Sequence, residues 1–438
     1  MKILLVNPAQ THNYMAKTAN SFLVPQNTLA HVAALTPSCD VEIQDELVES
    51  IDLDTDADLV GITTLTDNVV RAYELADAFR ARGKTVVFGG AHATAVPGEA
   101  LAHADAIVAG EAEGLWPRLV EEAIRGKKPS GLYRSHELPS LEKLPLPRRD
   151  LLRKKKRYLD VDMIQTTRGC PYRCEFCSVP GFAGMKFRRR PIDEVIVELT
   201  LCGERIFFID DILTGDPRYA AELFERMKPL KKKWIAQVTM NAADRPDVVK
   251  LMGQSGCAGV FVGVESVDQQ TLKGMHKPHN KAHRYAEQIA TFHDAGFPVL
   301  GGFVFGFDED DEGVFDRTLE FLHRSHIDVA SFTILTPLPG TPLYDRWRAQ
   351  KRLRFEEDWW LHRDWTQVVF QPKGMSAERL RRGWMDVAVE FYRSRRIASR
   401  TARNLLTHGP LLSMFVLQMN LSYREAAWNL ARTMGMVA

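Results

Sequence analysis

Short apolar runs alternate with helical stretches through the first part of the chain. "KILLVN" at residues 2–7 reads as a strand, then come a helix around Asn27–Leu35 and a strand in "VEIQDE". The pattern continues with "ADLVGITTL", a helix from about Asn68 to Arg82, "TVVFGG", a short helix, "ADAIVAG" and a helix from about Trp116 to Ile124. Apolar, β-branched strands separated by helices predict a parallel sheet covered on both faces. Ligands of such sheets sit beyond the carboxyl ends of the strands.

From about Gly126 to Tyr158 the pattern gives way to proline and charge, as in "LPLPRRDLLRKKKRY". Such a block reads as a solvated connector. Between about Leu159 and Tyr344 strand and helix alternate again. The candidate strands "MIQTT", "RIFFID", "WIAQVTM", "GVFVGVE", "PVLGGFVFG" and "DVASFTIL" predict a partial, open β/α barrel. Chemistry in such barrels collects on the loops after the strands. From Asp345 onward the pattern is mostly helical and rich in tryptophan (Trp347, Trp359, Trp360, Trp365, Trp384). The expected α/β organisation is therefore 1–126, a linker at 127–158, a barrel at 159–344 and a helical region at 345–438.

Composition narrows the picture. The chain has 438 residues and is 45% apolar, enough to bury large cores without disulfides. A formal net charge of +1 argues against nucleic-acid binding by bulk electrostatics. The first residues lack a secretory signal, and no run reaches the roughly 18 to 20 apolar residues of a membrane span. Six cysteines are too few for a disulfide scaffold, so a cytoplasmic protein with reduced thiols is expected. In the tail, "RSRRIASRTARNLL" and "PLLSMFVLQM" set basic residues beside Leu, Phe and Met. This segment either packs on the barrel mouth or makes peripheral contact with a bilayer.

Three of the six cysteines, Cys170, Cys174 and Cys177, fall in "RGCPYRCEFCSVPG", directly after the first barrel strand. Thiolates are soft ligands that select zinc, copper(I) or iron–sulfur clusters. A structural zinc site needs four ligands, and no fourth Cys or His follows at short spacing. A four-iron cluster held by three thiolates keeps one iron open to a substrate or cofactor. Phe176 would shield that cluster from water. The C-x3-C-x2-C spacing with an aromatic before the last Cys resembles the radical S-adenosylmethionine (radical SAM) superfamily. The resemblance implies a [4Fe-4S] cluster whose open iron chelates S-adenosylmethionine. Reductive cleavage then gives a 5′-deoxyadenosyl radical that abstracts hydrogen from substrate.

Further motifs extend the resemblance over nearly all of 159–344. "IFFIDDILTG" resembles a second-strand motif in which Asp210 and Asp211 bind S-adenosylmethionine or substrate, or else cap a helix. Where that branch often has Asn, this chain has Ile212. In "GVES", Glu265 and Ser266 would approach the ribose or amino-acid end of the nucleoside. In "GFVFGFDE", Gly302 and Gly306 would let the backbone approach adenine while Val304 packs on it, although paired glycines also mark bulges or tight packing. Thr336 and Pro337 open "TPLPGTPLY", which resembles a loop closing over adenine. Cys39, Cys202 and Cys257 read as buried apolar residues.

The first segment resembles the cobalamin-binding, Rossmann-like domain that one branch of the superfamily carries. Thr63-Thr64-Leu65 stands at the S-x-L position, Thr63 and Leu65 facing the nucleotide tail; Gly89-Gly90 stands at the glycine pair. Gly110 and Glu111 open "GEAEG", where relatives commonly have Gly in place of Ala112. The D-x-H-x-x-G motif is absent: "NPAQTHN" places His12 wrongly, so it reads as a surface residue and cobalamin would lack a His below cobalt. The layout resembles the branch containing anaerobic magnesium-protoporphyrin monomethyl ester cyclase and the hopanoid C-2 methylases. It implies a cobalamin-dependent methyltransferase acting on an unactivated carbon of a lipid, terpenoid, tetrapyrrole or natural product. A low-potential donor such as flavodoxin or ferredoxin would supply electrons. The alternatives are radical oxidation, cyclisation or rearrangement without methyl transfer, RNA methylthiolation, and a cluster-binding electron carrier or sensor.

Overall fold

The structure is a computed structural model that describes residues 1–10, 23–135, 137–152, 155–363 and 366–437. His12 and Trp365 lie outside the described residues. Six strands form the first sheet: β1 (Lys2–Asn7), β2 (Asp40–Asp45), β3 (Leu59–Thr63), β4 (Thr85–Gly89), β5 (Ala106–Ala109) and β6 (Gly131–Arg134). They run parallel in the order β2-β1-β3-β4-β5-β6, so the winding reverses between β1 and β3. Alternate side chains feed two cores. Ile3 and Leu5 pack with helices α1 (Asn27–Ala34) and α3 (Trp116–Ile124). Leu4 and Val6 pack on the other face with α2 (Val69–Ala81).

One difference from the sequence reading concerns the linker. Its residues Gly131–Arg134 form β6 and complete the first sheet. This edge strand is four residues long and half exposed, so it lacks the apolar run that marked the others.

The second sheet is the barrel. Strands β7 (Asp162–Ile164), β10 (Arg205–Phe208), β11 (Lys233–Val238), β12 (Cys257–Glu265), β13 (Val299–Phe305) and β14 (Val329–Ile334) pair in that order, all parallel. Between β7 and β10 lies a two-residue antiparallel pair, β8 (Thr167–Arg168) with β9 (Arg188–Arg189), too short to show in the pattern. β7 and β14 are not paired, so the barrel is open. Helices α4 (Ile192–Leu201), α5 (Pro217–Met227), α6 (Pro246–Gln254), α7 (Tyr285–Asp294) and α8 (Val314–Arg324) form its outer layer. Local chemistry sets where helices start: Asp216 caps α5 ahead of Pro217, and Thr341 caps α9 (Pro342–Ala349) ahead of Pro342. Along β12 the buried Val260, Val262 and Val264 alternate with the half-exposed Phe261, Gly263 and Glu265. The first set packs under the helices and the second faces the lumen, which is thereby left open for ligands.

The tail consists of α10 (Ala377–Phe391), α11 (Ser394–Thr407) and α12 (Gly409–Thr433). It seals the exposed edge of β14. Trp384 Nε1 donates to the Phe332 carbonyl at 2.9 Å, and Tyr392 Oη donates to the Ala330 carbonyl at 2.5 Å. An edge strand is thus closed by side chains, where another strand would otherwise template on it. Trp359 and Trp360 are core residues: both join Tyr344 in the core beneath α2 of the first sheet. Cys202 and Cys257 are buried as expected, whereas Cys39 is only half-buried. No described helix is long and apolar enough to cross a membrane.

Replacing Trp384 by Phe removes one donor and leaves the Phe332 carbonyl unpaired. The expected cost is about 1–3 kcal/mol, read as a lower denaturant midpoint with unchanged slope.

Candidate active site

The three cysteines sit on the loop that follows β8, at the carboxyl end of the barrel. Several contacts fix this loop. Asp210 is fully buried and accepts from the Thr166 amide (3.0 Å) and from the hydroxyls of Thr166 (2.7 Å) and Thr167 (2.6 Å). Its oxygens hold the strand exit, so Asp210 neither caps a helix nor offers itself to a ligand. Its neighbour Asp211 accepts from the Gly169 amide at 3.1 Å. Further along, the Glu175 amide donates to the Met275 carbonyl at 3.2 Å, and the Glu175 carbonyl accepts from Leu343 at 3.1 Å. Gly169 has φ +81, and a Cβ there would lie 2.6 Å from the Lys186 carbonyl.

The donor set fits an iron–sulfur cluster. All three cysteines are free thiols. Burial pushes the Cys174 thiol up to about 12 and the Cys177 thiol up to about 11, so a bound metal's charge is needed to make them thiolates. The Tyr172 and Val179 amides hydrogen-bond Cys170 and Cys177 and favour the ionised forms. Sequence reasoning missed Lys277, which is buried, sits 2.5 Å from Glu265 and lies near Cys174 and Cys177. Glu265 itself has φ +64, a left-handed geometry rare for a non-glycine residue. Tyr172, inside the cysteine loop, stacks on His279 at 3.5 Å between ring centres. The signal for these residues was the segment "MHKPHN" after the fourth barrel strand, whose lysine looked like any loop charge.

A cavity of about 490 Å³ lies beside this loop, lined by Phe176, Val304, Thr336, Trp384 and Tyr423 among others. Three of the residues expected to meet S-adenosylmethionine, Phe176, Val304 and Thr336, are therefore brought together. Phe176 also meets Phe307 edge-on at 5.8 Å. The remaining ones are placed differently. Ser266 caps the next turn through the Asp268 amide at 3.1 Å. Pro337 gives its carbonyl to Trp359 Nε1 at 3.2 Å. A Cβ on Gly302 would strike Phe261 in the lumen at 2.9 Å. Gly306 has φ +107, and a Cβ there would strike Leu380 and Phe370 at 2.8 Å, so it serves close packing of the tail. Ile212 is buried, and no polar contact arises there.

The carboxyl ends of the two sheets face each other across a second cavity of about 410 Å³. Thr63, Leu65, Gly89, Gly90, Gly110 and Glu111 all line it, as do Arg168 and Asp211 from the barrel. The glycines fit a cradle for a large ligand. Gly90 has φ +101 and a Cβ on it would lie 2.5 Å from the Thr64 carbonyl, while a Cβ on Gly110 would meet only open space. Across this cavity runs a buried ion-pair network. Arg168 reaches Glu111 at 2.7 Å and Glu113 at 2.6 Å, Arg188 pairs with Glu111, and His31 lies 2.9 Å from Glu113. Burial pushes the Glu113 carboxyl up, but His31 and Arg168 outweigh it and hold that carboxyl at about 2. Among the described residues, His31 is the one histidine lining this cavity, and its Nε2 is the atom on Glu113.

Fold and site together define an enzyme class: an α/β domain with a glycine cradle for cobalamin, facing a three-cysteine radical barrel. Over 411 residues the chain is 32% identical to the bacteriochlorophyllide d C-12(1)-methyltransferase of Chlorobaculum tepidum, covering 91% of this chain and 89% of that one. It belongs to the cobalamin-binding radical SAM enzymes, in the branch expected from its motifs. A B12 binding domain matches residues 30–120, the radical SAM superfamily matches 164–322, and a domain of unknown function (DUF4070) matches 341–437. The hopanoid C-2 methylase of Rhodopseudomonas palustris is 28% identical, over 82% of this chain and 72% of that one. The radical S-adenosylmethionine methyltransferase TsrM of Kitasatospora setae, solved with cobalamin and a [4Fe-4S] cluster, shares the fold. Its TM-score is 0.70 at 14% identity, covering 98% of this chain and 99% of that one.

Gly90→Ala should lower cobalamin retention by at least about tenfold while iron content stays unchanged, because the added Cβ forces the cradle open. Absorbance spectra and metal analysis of the reconstituted protein read both. The Glu113 carboxyl, held low in the folded state, adds stability above its unfolded pKa near 4.5 that is lost as pH falls toward 2. Glu113→Gln should flatten the fall in stability over that window, measured by denaturant unfolding at stepped pH.

Proposed function

We propose that this protein methylates an unactivated carbon of a ring-bearing, tetrapyrrole-type small molecule by radical chemistry. The observation that carries the proposal is the facing of the two carboxyl ends. Gly169 of the cysteine loop donates to Asp211, and Asp211 lines the glycine-cradled cavity, so the two cofactor sites share a wall. When bound, the cluster supplies the electron that splits S-adenosylmethionine into methionine and a 5′-deoxyadenosyl radical, and cobalamin supplies the methyl group.

The chain's own residues bind, orient and exclude water. Cys170, Cys174 and Cys177 would hold the cluster, with Lys277 offsetting the negative charge of the thiolates. Phe176 and Phe307 close its surroundings to water. Val304 and Thr336 would contact S-adenosylmethionine from β13 and from the turn after β14. Thr63, Leu65, Gly89, Gly90, Gly110 and Glu111 would hold cobalamin. A tetrapyrrole suits the aromatic lining of the 490 Å³ cavity, where Phe332, Trp384, Tyr392 and Tyr423 gather. It also matches the substrate in the name of the Chlorobaculum relative. Flavodoxin or ferredoxin in a reducing cytoplasm is the electron source we propose.

Anaerobic turnover with a chlorophyllide-type substrate should add one methyl group to the product. 5′-Deoxyadenosine and S-adenosylhomocysteine should form in equal amounts. Cys177→Ala should abolish both while cobalamin binding persists. A product of unchanged or lower mass, with no S-adenosylhomocysteine, would replace methylation by radical oxidation or cyclisation.

A further inference from the structure

The last two helices are built inside out. On the first half of α12 the inward stripe is Ser413, Val416 and Asn420, all buried, while Leu411, Met414 and Leu421 point outward; farther on Ala426, Ala427, Leu430 and Ala431 are buried in the usual way. On α11 the buried positions are Ile397, Arg400 and Asn404, and Leu405 and Leu406 are exposed. Arg400 and Asn420 have partners inside, whereas the Asn404 amide has none among the described residues. Arg400 donates to Asn420 Oδ1 at 2.6 Å and to the Phe391 carbonyl at 3.0 Å, and Asn420 Nδ2 donates to the Asp328 carbonyl at 3.0 Å. The hairpin tip around Gly409 therefore presents Leu406 at 90%, Leu411 at 82% and Met414 at 67% exposure. A water-facing helix pair has the opposite arrangement, with its apolar stripe turned to the core.

Charge identifies what lies outside. From Leu405 to Tyr423 the chain carries no Asp, Glu, Lys or Arg. At the opposite end of α11 from that run, Arg393, Arg395 and Arg396 all converge on the single carboxylate of Glu390, at 2.8, 3.4 and 3.6 Å. Three guanidinium groups share one negative charge, so the base of the hairpin is cationic. A hairpin with an apolar tip and a cationic base is complementary to an anionic bilayer when it lies along the surface, its leucines toward the acyl boundary and its arginines toward the phosphates.

We propose that the α11–α12 hairpin is a monotopic docking element that seats the enzyme on an anionic membrane surface. Leu405, Leu406, Leu411 and Met414 enter the interface and the arginines meet lipid phosphates. α12 then runs from the membrane to the 490 Å³ cavity, where Tyr423 and Ala427 form part of the wall.

The test is co-sedimentation of the full-length protein with phosphatidylcholine vesicles, with and without phosphatidylglycerol. Wild type should bind the anionic vesicles and release as salt rises. The double variant Leu406→Ser/Leu411→Ser should bind at least about tenfold more weakly, with an unchanged circular dichroism melt and unchanged S-adenosylmethionine cleavage. Arg395→Gln/Arg396→Gln should lose the preference for phosphatidylglycerol. Wild type that stays in the supernatant with both vesicles overturns the proposal. So does a wild-type dimer that the serine variant dissolves without any vesicle binding, which would assign the face to a second copy.

Discussion

Two carboxylates of one domain and two guanidinium groups of the other set the working geometry. Glu111 and Glu113 follow β5 of the first sheet, whereas Arg168 and Arg188 belong to the small hairpin that bears the cysteine loop. All four side chains are nearly buried, so each charge relies on the others in place of water. Removing one member of such a group strands its partner, a loss of about 3–5 kcal/mol. Arg168 stands two residues before Cys170, which ties the cobalamin side of the molecule to the cluster loop without any covalent connection.

The fold was legible where burial on both faces writes long apolar runs. Strands such as β1, β3, β4 and β13 announce themselves that way, whereas β2 and β7 carry few apolar residues and are placed by their alternation with helices. β6 did neither, because an edge strand half open to water has no such run and lies among prolines and charges. The site was legible where spacing is dictated by a ligand: three thiols on one loop, glycines where a Cβ would clash. It was less legible where one residue type serves two purposes. Asp210 and Asp211 are adjacent and identical, yet one is consumed by two threonines and the other faces a cavity. Gly306 matched an adenine-contact pattern and proves to be needed by Leu380 and Phe370, which lie far along the chain. Lys277 was invisible because a lysine's burial depends on neighbours that only folding supplies.

Desolvation runs through the whole reaction chamber. Phe176 meets Phe307 beside the cysteine loop, and burial raises the Cys174 and Cys177 thiols. A polypeptide alone would not tolerate thiolates there. Lys277 and the amide hydrogen bonds favour the ionised forms, and a bound metal's charge would favour them further.

The edge of β14 is finished by an indole and a phenol from α10. Among the described residues no ladder of main-chain bonds joins the tail helices to the sheet, so side chains alone set how the tail seats on the barrel. Part of the cavity wall, Trp384, Tyr392, Tyr423 and Ala427, thus belongs to a panel that side chains alone clip to the barrel.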